Sequence, residues 1–382
     1  MEISGIDSKK NSHVLFIISS LTIGGSERKT IKIANQLAHA GRRISIAYLS
    51  SPHTLRDEVS RDVGLLFLDR KGKFSINSLR RLLEYISLKN VSIICCINQY
   101  PLIYGYLAAR LNKSWPIKLI ATINTTEFVT SKESLQMYIY APILRRIDAV
   151  VFGSKYQESL WVNKYELDSS ICTHIYNGVD SDHFVRSGVP ETSKLIKDKL
   201  GIPESGLIIG STGRFRKEKK YETVINACVE MRNKKGLEVY CLLIGGGYEE
   251  QNLRKQVAIL KCESFVKILD AVDDVRPYLE AMDIFVLSSV SETFSNSALE
   301  AMAMGLPTVL PNVGGCPEMI SQGDNGYIYN PQNVNEFIEY LSLLCSRSDL
   351  RKKMGQSARR HIENNFRLPI MIESYDRLFW SH

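Results

Sequence analysis

The 382-residue sequence lacks the patterns that mark a zinc-bound or disulfide-linked protein. Its eight cysteines are scattered without any Cys-x-x-Cys spacing, and most lie in apolar segments. Cysteines in such surroundings are typical of small core residues. We therefore expect reduced thiols and no zinc.

We also expect neither a secretion signal nor a membrane span. The polar N-terminus, residues 1–12, does not show the basic and then apolar order of a signal peptide. Residues 91–109 carry no charge and are long enough to suggest a span, but Asn98, Gln99 and Pro101 interrupt them. A strand, a polar turn and a helix explain this stretch better. We expect a cytoplasmic protein.

Internal repeats and low-complexity segments are absent, and the length predicts two domains of roughly 150 to 200 residues. Positive charge is unevenly distributed between them. Residues 1–190 carry 24 Lys and Arg against 16 Asp and Glu, whereas the remainder carries 24 against 25. This excess predicts contact with an anionic surface, such as a membrane or a diphosphate lipid, or only a solubilising surface. No nucleic-acid-binding motif accompanies it, so we expect no nucleic acid partner.

Both halves alternate short apolar segments with helical ones, which predicts an α/β fold of two doubly wound, Rossmann-like domains. We assign residues 1–185 to the first domain and 186–365 to the second, with a polar linker at Ser181–Lys194. The predicted strands are Val14–Ser19, Ile44–Leu49, Leu65–Leu68, Val91–Ile97, Leu119–Ile123, Ala149–Phe152, Leu207–Ser211, Val239–Ile244, Val266–Leu269, Ile284–Leu287, Thr308–Leu310 and Gly326–Ile328.

Ligands of such sheets bind beyond the carboxyl ends of the strands, and two loops there contain glycines. Gly24 and Gly25 follow the first strand and open a helix, where free N–H groups favour an anion. Gly246 lies in a glycine loop after a strand of the second half, where a bulky ligand can pack closely. A bare turn explains either loop as well.

Two further loops carry charge. Arg214 and Lys219 stand in a basic segment, residues 213–220, between a strand and a helix, where a diphosphate would offset the repulsion by the helix dipole. A solvated basic loop is the alternative. Glu292 and Glu300 are eight residues apart around the next such helix start, although Ser297 and Glu300 also match a capping box.

Together these segments resemble glycosyltransferase family 4, retaining enzymes with the GT-B fold that include many bacterial surface-polysaccharide transferases. The Glu-x7-Glu signature is the most specific match. The other matches are Gly24 and Gly25, Asn177-Gly-Val-Asp180, and Gly213, Arg214 and Lys219.

The resemblance implies roles for these residues in binding a nucleotide diphosphate sugar, with UDP-sugar as the expected donor. Glu300 would accept hydrogen bonds from the ribose, and Glu292 would engage a sugar hydroxyl. Arg214 and Lys219 would neutralise the leaving diphosphate, so we expect no metal and no other cofactor. The donor site is completed by Gly24, Gly25, Gly246 and Asn124, and by the backbone N–H groups of Phe294, Ser295 and Asn296.

One position departs from the family. Many members carry a histidine where this sequence has Asn124, and none of its seven histidines falls in that loop. An asparagine can bind a sugar hydroxyl but cannot carry a proton. The resemblance implies front-face attack, in which the leaving phosphate takes the proton of the acceptor hydroxyl and no protein nucleophile is needed.

The resemblance leaves the acceptor open, and a glycan or a polyprenyl diphosphate-linked sugar is expected in the first domain. A terminal helix, about residues 366–382, would cross back onto that domain. The basic, aromatic segment Met137–Arg146 would bring it to an anionic membrane, or would simply be a core helix. Two other readings are a nucleotide-sugar or glycan-binding protein without transferase activity, and a nucleotide-sugar epimerase.

Overall fold

A computed structural model describes residues 12–126 and 131–380 of the chain. These residues form two compact units, each built on its own parallel sheet. One unit comprises residues up to Tyr176 together with those from Pro369 onward, and the other comprises Asn177–Leu368.

The sheet of the first unit has the strand order β3-β2-β1-β4-β5-β6-β7 in the part of the chain described. All its neighbouring strands pair in parallel. The chain adds strands on one side of β1 and then on the other, so the order reverses between β1 and β4. The strands are β1 His13–Ile18, β2 Arg43–Tyr48, β3 Gly64–Phe67, β4 Val91–Ile97, β5 Lys118–Ile123, β6 Ala149–Phe152 and β7 Cys172–His174.

Helices cover this sheet, which is why every residue of β1 and β6 is buried. The helices are α1 Gly25–His39, α2 Ile76–Lys89, α3 Gln99–Leu111, α4 Ser131–Leu144 and α5 Lys155–Tyr165. Residues 91–109 form β4, a polar turn at Asn98 and most of α3, as predicted. None of the helices in the described part of the chain combines the length and the hydropathy of a membrane span.

The last helix, α13 (Leu368–Trp380), packs on this first unit. Arg42 forms a two-point ion pair with Asp376 at 2.9 and 3.0 Å. The ring of Phe379 meets the ring of Phe16 edge to face, with 5.7 Å between centroids. The chain therefore ends on the unit in which it begins.

The second unit repeats the plan with the strand order β10-β9-β8-β11-β12-β13 among its described residues. Its strands are β8 Leu207–Thr212, β9 Val239–Ile244, β10 Val266–Leu269, β11 Ile284–Val286, β12 Thr308–Pro311 and β13 Gly326–Tyr329. Its helices are α6 Pro190–Leu200, α7 Tyr221–Lys235, α8 Glu250–Ile259, α9 Arg276–Ala281, α10 Asn296–Ala303, α11 Val334–Ser346 and α12 Ser348–Asn365.

The fold prediction is confirmed, and two details of it are wrong. The three-residue strand β7 was not predicted, because Cys172–His174 is too short to show a pattern of its own. The segment Ser181–Lys194 is not wholly a linker, because α6 begins inside it at Pro190. Proline suits the first position of a helix, where its missing N–H group has no intrahelical partner to lose.

Candidate active site

Two of the predicted segments meet at the carboxyl edge of the second sheet. Strands β8 and β11 are neighbours, and the strand order reverses between them, so the loops that follow them lie side by side. The hydroxyl of Ser288 donates to the carbonyl oxygen of Lys219 at 2.8 Å. The backbone N–H of Val290 donates to the carbonyl oxygen of Glu218, also at 2.8 Å. These bonds fix the basic loop against the loop that carries Glu292.

An ion pair between Lys219 and Glu292 lies at this junction. Nζ of Lys219 is 2.6 Å from Oε1 of Glu292, and the hydroxyl of Ser289 donates to the same oxygen at 2.7 Å. Only 8% of the Glu292 side chain is exposed, against 25% of the Lys219 side chain. The Glu292 carboxylate thus holds the ammonium group of Lys219 in one position, while part of the Lys219 side chain still faces solvent.

A third loop, after β12, closes around this pair and was missed in the sequence. Gly314 has φ +54°, and a Cβ atom there would overlap the carbonyl oxygen of Glu292. The N–H of Gly315 donates to the carbonyl oxygen of Thr293 at 3.0 Å. Burial raises the pKa of the Cys316 thiol, with a further increase from Glu292. The signal was present as a glycine pair that begins four residues after the predicted strand Thr308–Leu310.

The glycine loop after β9 packs on the basic loop. A Cβ atom at Gly245 would overlap the carbonyl oxygen of Gly213, and one at Gly247 would overlap that of Phe215. Gly246 meets no atom within 4 Å of such a Cβ, and its carbonyl oxygen accepts the N–H of Phe215 at 3.0 Å. The close approach therefore belongs to the two glycines that flank Gly246.

Helix α10 begins beside the ion pair. Its N-terminus differs from the predicted capping box, in which Ser297 would be the N-cap and Glu300 the third helical residue. Ser295 is the N-cap, and its hydroxyl accepts the N–H of Ala298 at 3.3 Å. Glu300 is therefore the fifth residue of the helix and does not occupy the third position that a capping box requires. A carboxylate in this place has no capping task.

The loop before α10 is held in place by its own unit. Phe294 is buried, its ring meets that of Phe366 edge to face, and its carbonyl oxygen accepts Nδ2 of Asn177 at 2.8 Å. Asn296, the first helical residue, is exposed. The N–H groups at the start of α10 thus follow a loop that is held by these contacts, and they begin at an exposed residue.

The remaining cations of the basic loop point outward. Arg216 lies 3.7 Å from Glu218, and Lys220 lies 3.2 Å from Glu222. Arg214 is exposed and lies two residues beyond the end of β8 at Thr212. The structure therefore places Lys219 against Glu292, whereas Arg214 remains exposed beyond the carboxyl end of β8.

In the first unit, the predicted residues also stand at the carboxyl edge of the sheet. Gly24 is the N-cap of α1, and the exposed Gly25 is its first residue. The N–H of Asn124, directly after β5, donates to Oδ1 of Asn98 at 2.9 Å. Asn98 itself has φ 66° and ψ 178°, a conformation rarely adopted by residues other than glycine. Asn98 was not among the predicted site residues.

Acidic clusters of the kind that bind metals are not found in the described residues. An Asp-x-Asp triplet, a pattern that often binds a metal, does occur at Asp180–Asp182. Oδ1 of Asp180 accepts the N–H groups of Asp182 at 3.2 Å and His183 at 3.0 Å. This carboxylate therefore closes a turn.

Comparison with known families matches both halves of the chain. Residues 23–183 match the family described as Glycosyltransferase Family 4, and residues 192–361 match Glycosyl transferases group 1. N-acetyl-alpha-D-glucosaminyl L-malate synthase of Bacillus anthracis is 26% identical over 373 residues, which cover 94% of either chain. The capsular polysaccharide biosynthesis glycosyltransferase CapM of Staphylococcus aureus is 24% identical over 68% of this chain and 63% of its own.

Solved structures share the fold across nearly the whole length. A glycosyltransferase from Rickettsia africae superimposes with a TM-score of 0.83 at 22% identity, covering 97% of this chain and 98% of the other. HepE of Anabaena, solved in complex with UDP, gives a TM-score of 0.84 at 18% identity, covering 97% of this chain and all of the other. The fold of both units is thus shared with these structures.

Proposed function

The chain belongs to glycosyltransferase family 4, and from that premise we propose that it is a retaining enzyme that uses a UDP-sugar without a metal. The proposed acceptor is a glycan or a polyprenyl diphosphate-linked sugar in the synthesis of a surface polysaccharide. The observation that carries the proposal is the fixed Lys219–Glu292 pair beside the start of α10.

The charges around that pair suit a nucleotide diphosphate. Lys219 is positioned by Glu292, whose carboxylate also accepts a hydrogen bond from Ser289. The ammonium group therefore needs little reorganisation when negative charge develops on a leaving phosphate. Arg214 adds a second cation at the end of β8. The N–H groups at the start of α10 donate hydrogen bonds to phosphate oxygens or to sugar hydroxyls. Glu300, one turn further along, accepts hydrogen bonds from the ribose in this arrangement.

The proposed reaction breaks the bond between the anomeric carbon and the diphosphate, and the electron pair stays on the diphosphate oxygen. The acceptor hydroxyl bonds to the same face of the anomeric carbon and passes its proton to that oxygen. Lys219 and Arg214 stabilise the departing diphosphate, so the charge that a metal supplies in other transferases comes from side chains. Configuration is retained because attack and departure share one face.

UDP is the proposed nucleotide because the structures of HepE include complexes with UDP and with UDP-glucose. The polysaccharide context is proposed from relatives such as CapM, whose name places it in capsular polysaccharide biosynthesis. These are properties of the relatives. For this chain they define which donors and acceptors to test first.

A donor panel tests the proposal. We would measure the thermal shift caused by UDP-, GDP- and ADP-sugars, with and without EDTA, for the wild type, for Glu300→Ala and for Glu263→Ala. Glu263 is exposed and lies beyond α8, so its variant makes the same charge change away from the site. We expect UDP-sugars to stabilise the wild type and Glu263→Ala, and Glu300→Ala to bind about tenfold or more weakly.

The other outcomes contradict specific parts of the proposal. No shift with any donor contradicts the site, and binding that EDTA abolishes contradicts the metal-free reaction. Binding without release of UDP in the presence of lipid-linked acceptors points to a non-catalytic binding protein. A product with an altered nucleotide sugar points to an epimerase.

We also propose that α4 brings the first unit to an anionic membrane. Leu135, Tyr138 and Ile139 are 66%, 80% and 61% exposed, and their spacing of three and four residues places them along one side of the helix. The exposed Arg145 and Arg146 follow the helix. Apolar and aromatic side chains next to cations are the combination that binds an interface with anionic headgroups.

Cosedimentation with vesicles tests this contact. Leu135→Ser combined with Ile139→Ser should reduce binding to phosphatidylglycerol vesicles, whereas Leu88→Ser should not. Leu88 is 76% exposed on α2 of the same unit and makes a matched control. Equal binding of all three proteins would contradict a role for α4, and binding to pure phosphatidylcholine would contradict the role of charge.

A further inference from the structure

Among the described residues, two buried donor atoms at the carboxyl edge of the first sheet have no hydrogen-bond partner. They are Nε of Arg70, which follows β3, and Nε2 of Gln99, the first residue of α3 after β4. Each buried and unsatisfied donor costs about 1 to 3 kcal/mol. No contact among the described residues of this unit offsets that free-energy cost.

Arg70 is nevertheless held in a fixed place. Its guanidinium lies over the ring of Tyr100 at 5.0 Å, and Nη1 donates to the hydroxyl of Tyr100 at 3.3 Å and to the carbonyl oxygen of Gly72. The N–H of Arg70 donates to the carbonyl oxygen of Leu49 at 2.7 Å, which anchors this loop beyond the end of β2. The loop after β3 thus places the guanidinium of Arg70 at the start of α3, where these contacts hold it.

The backbone next to Gln99, at Asn98, is strained. We call the region where the loop after β3 meets the start of α3 this corner of the unit. Asn98 keeps φ at 66° while its N–H donates to the carbonyl oxygen of Thr122 at 2.8 Å and its Oδ1 accepts the N–H of Asn124. Such strain persists where the surroundings enforce it, and it is concentrated at ligand sites. The strand order reverses between β1 and β4, which is the position where ligands of this kind of sheet bind.

An exposed aromatic side chain borders the same corner. Phe74 is 45% exposed and stacks on Tyr104 with 5.1 Å between ring centroids. The hydroxyl of Tyr104 accepts the N–H of Ser75 at 2.9 Å, which ties this segment to α3. An aromatic face next to a guanidinium suits a molecule that has both an apolar face, such as that of a sugar ring, and a negative charge.

We propose that the acceptor carries an oxyanion, either a phosphate or a carboxylate, and that this group binds Arg70 with Gln99 as a second donor. The inference rests on the proposed function, because it assigns a substrate class to the acceptor side of that reaction. The oxyanion supplies the acceptor atoms that Nε of Arg70 and Nε2 of Gln99 lack among the described residues, and Tyr100 holds the guanidinium in place for it. Neutral sugar acceptors are bound more weakly at this corner.

Binding of simple anions tests the proposal without relying on turnover. Calorimetry on the full chain, with the donor site first saturated by UDP, would use inorganic phosphate, succinate and glycerol as probes. We expect phosphate or succinate to bind one to one and glycerol not to bind, and the better anion identifies the class. Arg70→Gln should weaken that binding about tenfold to a hundredfold.

Matched variants separate this role from folding. Lys73→Gln removes a cation from the same exposed loop and should leave the affinity unchanged. Arg70→Lys keeps the charge but loses the planar fork, so an intermediate loss is expected. Gln99→Leu removes the unpartnered amide, and it should weaken anion binding while the melting temperature stays equal or rises.

Two results would overturn the inference. One is the absence of anion binding to protein that does bind UDP, which leaves the proposed function intact. The other is equal anion affinity in the wild type and Arg70→Gln. Failure of UDP itself to bind would instead count against the proposed function.

Discussion

Nζ of Lys219 lies 2.6 Å from Oε1 of Glu292, although the two residues are separated by 73 positions in the sequence. They meet because β8 and β11 are adjacent strands and both loops leave the same edge of the sheet. The pair joins the cation proposed to stabilise the diphosphate to the more buried acidic residue of the signature.

Removal of one partner should be more costly than removal of both. Lys219→Met leaves the Glu292 carboxylate buried without its cation, and we expect the free energy of unfolding to fall by about 2 to 4 kcal/mol. The double variant Lys219→Met with Glu292→Gln should recover part of this loss. Urea denaturation of the two single variants and the double variant gives the coupling energy, expected to be about 1 to 3 kcal/mol. Strictly additive effects would contradict a stabilising pair.

Gly314 should be intolerant of any side chain. Its Cβ would overlap the carbonyl oxygen of Glu292 in addition to straining a backbone at φ +54°. Gly323 is the matched control, because it has φ +79° and an added Cβ there meets no atom within 4 Å.

We expect Gly323→Ala to cost about 1 kcal/mol from backbone strain alone. Gly314→Ala should cost more and should also weaken UDP binding, because the Glu292 loop must move. Urea denaturation and calorimetry with UDP check both. Similar effects of the two substitutions would show that the contact with Glu292 is unimportant.

The start of α10 predicts different outcomes for two serines two positions apart. Ser295→Ala removes the hydroxyl that accepts the N–H of Ala298 and should destabilise the protein by about 1 kcal/mol. Ser297→Ala should change the free energy of unfolding by less than about 0.5 kcal/mol. Thermal unfolding of the two variants measures this. A larger loss at Ser297 would restore the capping-box reading of Glu300.

Lys29 should make stability depend on pH in the alkaline range. It is buried in α1, and burial lowers its pKa to about 8, while its ammonium lies 5.7 Å from the centroid of the Tyr375 ring. The unfolded chain, with an ordinary lysine pKa, binds more protons between pH 8 and about 10.4. This residue's contribution to stability therefore rises with pH across that range.

Lys29→Met removes the cost of the buried charge. We expect stabilisation at pH 7 of up to about 3 kcal/mol, decreasing as the pH rises above 8. Lys32→Met changes an exposed lysine of the same helix and serves as the control. Urea denaturation at pH 7 and pH 10 compares them. A gain that does not change with pH would contradict the assignment to the Lys29 charge.

Much of the fold could be predicted from the sequence, because buried parallel strands are short apolar segments and loops after them stand out by their glycines and charges. The pattern could not show which cations of the basic loop point inward. Lys219 turns to Glu292 whereas Arg216 and Lys220 pair with neighbouring carboxylates, and this depends on a strand partner far away in the chain. Gly314, Asn98 and Arg70 were missed for the same reason, since their roles come from contacts between different loops.

The central claim is that side chains of the second unit, without a metal, carry the chemistry of transfer from a UDP-sugar. The most direct measurement is the rate of UDP release from the donor selected by the binding panel, in EDTA, for the wild type, Lys219→Met and Glu300→Gln. We expect EDTA to leave the wild-type rate unchanged and each substitution to lower kcat/KM by about tenfold or more. Loss of wild-type activity in EDTA, or variants as active as the wild type, would contradict this claim.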